Sequence, residues 1–130
     1  AAPAVGEQPA PSCQAPAAGP RVVAMVASDR FGEGEEELGR ILMRAFIKTL
    51  KDVDPRPGKV IFANAGVRLT TEGSDLIDDI RALESGGVEI ISCGTCLDYY
   101  RLLDKLQVGV ASNMYEIAST LVQADRIVRP

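Results

Sequence analysis

The sequence predicts an α/β fold, a three-layer arrangement in which a mainly parallel five-stranded sheet carries helices on both faces. Three observations lead there. From Arg21 onward, short β-branched or apolar runs alternate with longer amphipathic stretches, the pattern of strand–helix units. The first run, Val22 to Ala27, is apolar without a break, which suits a strand covered on both faces rather than one with a wet side. The 130 residues amount to about one domain by the soft prior of roughly 100 to 200 residues each, and suffice to bury a single core.

The elements follow in chain order. Residues 1 to 20 hold seven Ala and five Pro but one charged side chain, Glu7, and show neither helical nor strand period. They read as a stiff, disordered linker, with a reach of roughly 60 Å if extended like polyproline. The chain begins with Ala rather than Met, which suggests a trimmed or processed start, or the back half of a longer polypeptide. A signal-peptide remnant is the rival explanation, and no apolar central segment supports it. The domain itself spans residues 21 to 130.

Its first strand is Arg21 to Ser28. A loop, Asp29 to Gly34, leads into a helix over Glu35 to Asp52 that Pro55 and Pro57 bring to an end. Glu35, Glu36 and Glu37 in the first turn complement the helix dipole. Leu38, Ile41, Leu42, Ala45 and Phe46 form the expected core-facing side, and Arg40, Arg44, Lys48 and Lys51 the solvated one, with Glu36 and Arg40 spaced as an ion pair. Met43, Ile47 and Leu50 widen the apolar stripe beyond what one sheet face needs, a hint of a subunit interface.

Lys59 to Ala63 is the second strand, and Asn64 to Gly73 a loop. A second helix runs from Ser74, its expected N-cap, to Ser85, with Gly86 or Gly87 as the stop and Leu76, Ile77, Ile80 and Leu83 toward the sheet. Val88 to Ser92 is the third strand, followed by a short helix from Cys96 to Leu103. Val108 to Ala111 is the fourth. Asn113 caps a helix to Ala124, with Glu116 at the capping-box position. Arg126 to Val128 closes the sheet as its fifth strand.

Composition narrows the chemistry. Hydrophobic residues at 46% and charged residues at 25% are values of a soluble globular chain. No apolar run is long enough to cross a bilayer, so no membrane partner is expected. Fourteen basic against eighteen acidic residues give a net charge of −4 with no basic cluster, which argues against nucleic acid as a partner. Histidine is absent and cysteine occurs three times. Imidazole is thereby excluded as base, proton shuttle or metal ligand, and thiols become the leading chemical groups.

In open parallel sheets, ligands bind beyond the carboxyl ends of the strands. The loop that follows the third strand is Ser92-Cys93-Gly94-Thr95-Cys96, a C-x-x-C at the junction of strand and helix. A thiol at a helix N-terminus is expected to have its pKa lowered by the dipole and by unpaired N–H groups. Three readings stand side by side: two buried and inert cysteines, a zinc site, or a reactive thiol pair. Zinc would need further ligands, and the only other thiol is Cys13 on the linker. The pair Cys93 and Cys96 is the candidate catalytic centre. Asp29, Asn64, Gly66, Gly94, Thr95 and Asn113, all beyond strand ends, are candidate pocket-lining residues, with turn and capping roles as the alternative. Gly32-Glu33-Gly34 invites a phosphate-loop reading, but the surrounding acids oppose it. Arg68 is placed to orient an anionic sulfur species or else to be solvated. Tyr99 and Tyr100, one turn beyond the thiols, read as packing residues.

Several stretches together resemble a known domain. These are Ala27-Ser28-Asp29, Glu37-Leu38-Gly39 with Leu42-Met43, Asn64-x-Gly66-Val67-x-Leu69-Thr70-Thr71-Glu72-Gly73-Ser74, Ser92-Cys93-Gly94-Thr95-Cys96-Leu97-Asp98-Tyr99-Tyr100 and Gly109-x-x-Ser112-Asn113-Met114-Tyr115. Over residues 21 to 129 the chain is similar to the C-terminal domain of YedF proteins, a DsrE-like, sulfurtransferase-type domain. The resemblance implies a flavodoxin-like fold, assembly into homo-oligomers, and a cytoplasmic role in sulfur relay or selenium metabolism. It implies no metal or organic cofactor, and sulfur donor and acceptor proteins as partners, a TusA-like domain among them. In such carriers the persulfide-bearing cysteine follows a central strand. Cys93 matches that position best, which leaves Cys96 as the resolving thiol. Those carriers often hold one cysteine there and this chain has two, so a thiol–disulfide switch or an oligomeric binding module without sulfur transfer is the competing expectation.

Overall fold

Five strands, all parallel, form one sheet in the order β4-β3-β2-β1-β5. The computed structural model describes residues 20–130. The strands are β1 (Val22–Val26), β2 (Lys59–Phe62), β3 (Glu89–Cys93), β4 (Val110–Ser112) and β5 (Arg126–Val128). The helices are α1 (Glu36–Thr49), α2 (Ile77–Ser85), α3 (Gly94–Tyr99) and α4 (Met114–Gln123), with 3-10 helices at Asn64–Thr70 and Leu103–Lys105. Parallel crossovers are right-handed. The steps from β1 to β4 all run one way across the sheet and put α1, α2 and α3 on one face. The return from β4 to β5 therefore puts α4 on the other.

The centre of the sheet is dry because its strands are apolar on both sides. Ala24, Val26, Val60, Ile61, Phe62 and Ile91 are completely buried. Registration of Val26 with Phe62 and of Phe62 with Ser92 lines up the carboxyl ends of the three central strands. Everything placed on those ends is thereby brought together.

The α/β class, the five strands and the helices on both faces are as the sequence predicts, with boundaries shifted by a few residues. Two features differ. The segment after β2, expected as a loop, winds into the 3-10 helix Asn64–Thr70, and α2 starts at Ile77 rather than Ser74. Ser74 accepts a hydrogen bond from the Leu76 N–H at 3.1 Å, so it caps a turn that precedes the helix.

The second difference is the rotation of α1. Met43, Ile47 and Leu50 face the core, while Leu38, Ile41 and Leu42 are 50%, 57% and 40% exposed, the reverse of the expected assignment. Gly39 explains it. It is buried against the turn that enters the helix, where a Cβ would come within 2.9 Å of the Arg30 Cβ, and its carbonyl accepts the Phe31 N–H at 2.9 Å. A helix pinned with Gly39 inward buries the positions four, eight and eleven residues later. The linker expected over residues 1 to 20, and Cys13 with it, lies outside the described residues except for Pro20.

Candidate functional site

β3 passes into α3 without a loop. Cys93 is the last residue of the strand and Gly94 the first of the helix. Gly94 permits this junction because a Cβ there would lie 3.1 Å from the Ser112 carbonyl oxygen at the end of β4. The short helix is anchored by Leu97, which is fully buried. It ends where Arg101 takes a left-handed φ of 61° and the Leu102 N–H returns to the Leu97 carbonyl at 2.7 Å, a Schellman-type stop made without glycine.

The two thiols occupy different environments. Cys93 is 2% exposed, whereas Cys96, one turn into α3, is half-buried, and no disulfide joins them. They are near enough that Cys93 bears on the ionisation of Cys96. The backbone N–H of Asn64 donates to Cys96 Sγ at 3.0 Å. That donor is aimed by an uncommon backbone conformation. Asn64 has a φ of 53°, and its own Oδ1 accepts the next amide, from Ala65, at 3.0 Å.

The 3-10 helix that begins at Asn64 is fastened to the sheet twice. Gly66 packs so closely that a Cβ would fall 2.2 Å from the Val26 carbonyl oxygen. Farther along, Thr70 and Ser92 share a buried hydroxyl hydrogen bond of 2.8 Å. Thr70 also donates to the Val67 carbonyl at 3.0 Å, which leaves Ser92 as the donor of the shared bond. The Asn64 amide is thus held by packing on β1 and β3 rather than by its own loop.

The ionisation of Cys96 differs from the sequence expectation. Burial pushes the thiol upward, the neighbouring Cys93 pushes further, and the Asn64 N–H pulls the other way without overcoming them. The result is a raised pKa, so the resting group is a protonated thiol. A helix of six residues supplies too little dipole to reverse the cost of burial.

The remaining expected residues separate into two places. Asn64, Gly94 and Thr95 lie with the thiols at the ends of β2 and β3, Gly66 holds that arrangement together, and Asn113 follows β4. Asn113 is the N-cap of α4 and accepts the Glu116 N–H at 2.9 Å, so capping is its visible role. Asp29 lies elsewhere, in a cleft between α1 and residues 68–76 that neither thiol lines. Two relationships were beyond sequence reasoning: the Asn64 amide on Cys96, and the Arg68 guanidinium stacked 4.5 Å from the centre of the Tyr100 ring. No local signal announces either, although an Asn directly after a strand is a fair hint of left-handed backbone. Among the described residues no group of three or more His, Cys, Asp and Glu is placed to hold a metal, so the described chain does not supply the further ligands that the zinc reading requires.

No protein-family model matches the chain, and no curated protein matches it. Solved structures do. The YchN protein from E. coli aligns over 85% of this chain and 99% of its own length, with a TM-score of 0.65 and 16% identity. The chain has a DsrE/YchN-like fold. A second structure with this fold, the protein of unknown function MTH1491 from Methanobacterium thermoautotrophicum, aligns over 86% of this chain and all of its own, with a TM-score of 0.65 and 22% identity. At such identities the likeness is one of architecture. The YchN-like frame accounts for the parallel sheet and the shared strand ends. What this chain places there is read from its own side chains.

Proposed function

We propose that this protein carries a sulfane sulfur, or selenium at the same oxidation level, as a persulfide on the C-x-x-C pair and passes it to an acceptor thiol. One observation carries the reading: two neighbouring cysteines without a disulfide at the strand ends, one accessible and facing a fixed N–H donor, the other buried. The motif resemblance to the C-terminal domain of YedF proteins supports the same chemistry, and a cytoplasmic setting, where thiols stay reduced, suits it.

Exposure orders the pair opposite to the sequence expectation. Cys96 meets the donor, and the buried Cys93 is the resolving thiol. Cys96 attacks the outer sulfur of a donor R–S–SH and gives up its Sγ proton to the departing R–S group. A bond forms between Cys96 Sγ and that sulfur, the bond from it to R–S breaks, and R–SH leaves with the electron pair and that proton. The Asn64 N–H stabilises the charge on sulfur. An acceptor thiolate then takes the outer atom and regenerates Cys96. In the alternative discharge, Cys93 attacks Cys96 Sγ, its proton leaves with the outer sulfur as HS⁻, and a Cys93–Cys96 disulfide remains. Neither transfer needs an external oxidant, because the donor sulfur is already at the zero-valent level.

The test is intact mass after incubation of the reduced protein with a sulfane-sulfur donor. A one-sulfur adduct that persists in Cys93→Ser and vanishes in Cys96→Ser is expected. No adduct on the wild-type protein overturns the reading.

The proximity of the two cysteines in the C-x-x-C motif favours one alternative, a thiol–disulfide switch without sulfur transfer. A reduction potential near the cytosolic poise of roughly −220 to −320 mV, together with a failure to form the adduct, would select it.

A further inference from the structure

We propose that the outer face of α4 is a docking surface for this chain's own residues 14–19, which lie along the helix as an extended polyproline strap with Pro16 on the Tyr115 ring.

A helix that faces water on one side normally carries polar and charged residues there, and α4 does not. Ile117 is buried in the core, and the stripe opposite it is Tyr115, Ala118, Ser119 and Val122, spaced three and four residues apart. Tyr115 and Val122 are each 84% exposed. The helix has a single charged side chain, Glu116, which falls off the stripe and is engaged by the Ser112 hydroxyl and by Lys59 at 3.9 Å. The exposed Leu38, Ile41 and Leu42 of α1 differ, because the ion pairs Glu36–Arg40 and Asp75–Arg44 accompany them on that helix. An uncharged stripe is matched by an uncharged occupant.

The chain brings one to this place. Arg21 is fastened just beyond the end of α4: its N–H donates to the Asp125 carboxylate at 2.7 Å, and its carbonyl accepts the Asp125 and Arg126 N–H groups at 2.9 and 3.1 Å. Pro20, the residue before it, lines a cavity of about 540 Å³ together with Thr120 and Gln123 of α4. The upstream residues therefore leave the domain at the C-terminal end of this helix. Residues 14–19 read Gln-Ala-Pro-Ala-Ala-Gly, without charge, between Pro9 and Pro11 on one side and Pro20 on the other. Such a segment favours the polyproline form, which is already extended before it docks on an aromatic surface. The lengths agree. Pro16 is four residues before Pro20, about 12 Å at the polyproline rise, and Tyr115 is eight before Gln123, about 12 Å of helix. Contact this near the exit point closes a short loop, so its entropic cost is small. Cys13 is seven residues before Pro20, about 22 Å, which exceeds the roughly 15 Å length of α4. The strap thus carries the third thiol toward the end of the sheet that holds Cys93 and Cys96.

The test uses the full chain carrying Cys93→Ala and Cys96→Ala, which leaves Cys13 as the single thiol for a nitroxide label. In amide NMR spectra, residues 113–119 are expected to lose intensity relative to α1, and Tyr115→Ser or Pro16→Gly should relieve the loss. Tyr115 is exposed and Pro16 lies upstream of β1, so neither change puts the fold at risk. In the wild-type chain, without a label, the Pro16 ring protons should stand upfield of their random-coil positions and move back in Tyr115→Ser. Equal loss over α1 and α4, a loss that survives both substitutions, or Pro16 protons that Tyr115→Ser leaves unmoved overturns the proposal. So does a loss that arises between molecules, seen on an isotope-enriched chain without nitroxide when it is mixed with the nitroxide-bearing one, because a second copy then covers the stripe.

Discussion

The backbone N–H of Asn64 donates to Cys96 Sγ at 3.0 Å across 32 residues of chain. This contact joins the end of β2 to the helix after β3 and gives the accessible thiol a fixed donor from another element. It rests on a left-handed residue, φ 53°, in a segment locked down by Gly66.

The first expectation concerns Asn64 itself. Asn64→Gly keeps both the amide and the conformation, so the persulfide adduct should form at near wild-type yield. Asn64→Val places a β-branched residue at positive φ, at a cost of about 1–3 kcal/mol, and should turn the amide away from sulfur. Urea denaturation measures the first effect, and the lifetime of the adduct by mass spectrometry the second. Equal adduct lifetimes in the two variants would remove the amide from the mechanism.

Because burial and Cys93 raise the Cys96 pKa, its alkylation by iodoacetamide should show a midpoint above the ordinary thiol range of about 8.5. Cys93→Ala removes two of the contributions that raise it and should move the midpoint down. The same shift has a stability consequence. Folding favours the protonated thiol, so the contribution is fully present below the unfolded-chain pKa and is lost as pH rises through the folded value. Peptide-resolved alkylation against pH, paired with denaturation on the alkaline side, checks both directions.

Gly66→Ala should be the most damaging of the small changes near the site. Its Cβ would meet the Val26 carbonyl oxygen at 2.2 Å, and a backbone oxygen cannot yield as a flexible side chain does. A loss of about 1–3 kcal/mol is expected, with Cys96 left more reactive to alkylation as the 3-10 helix lifts from the sheet. Gly94→Ala, whose Cβ would sit 3.1 Å from the Ser112 oxygen, should cost less. Urea midpoints of the two variants decide the order.

The orientation of α1 separates two isoleucines. Ile47→Ala, fully buried, should cost about 2–5 kcal/mol, while Ile41→Ala should stay within about 0.5 kcal/mol of wild type. We further expect homo-oligomers, with the exposed Leu38, Ile41 and Leu42 in the contact between copies. Light scattering should show the mass falling toward the monomer in Ile41→Glu, and a monomeric wild-type protein would dismiss the idea.

Much of the frame was legible because apolar periodicity reports burial directly. The unbroken Val22 to Ala27 run meant a two-sided strand, and Leu76, Ile80 and Leu83 turned inward as their spacing requires. The strand-to-helix placement of Cys93 and Cys96 followed from the same reading. The rotation of α1 did not, because its apolar residues surround most of the helix and hydrophobicity alone cannot rank its faces. A glycine without periodicity signal settled it by fitting under Arg30 and Phe31.

Local order along the chain thus established which residues form strands, where those strands end, and that thiols, with no imidazole present, stand at one such end. Which thiol is accessible, what its pKa becomes and which amide faces it depend on elements far apart in sequence. Burial and hydrogen bonding are properties of neighbours in space, and Asn64 and Cys96 become neighbours only when β2 and β3 lie side by side.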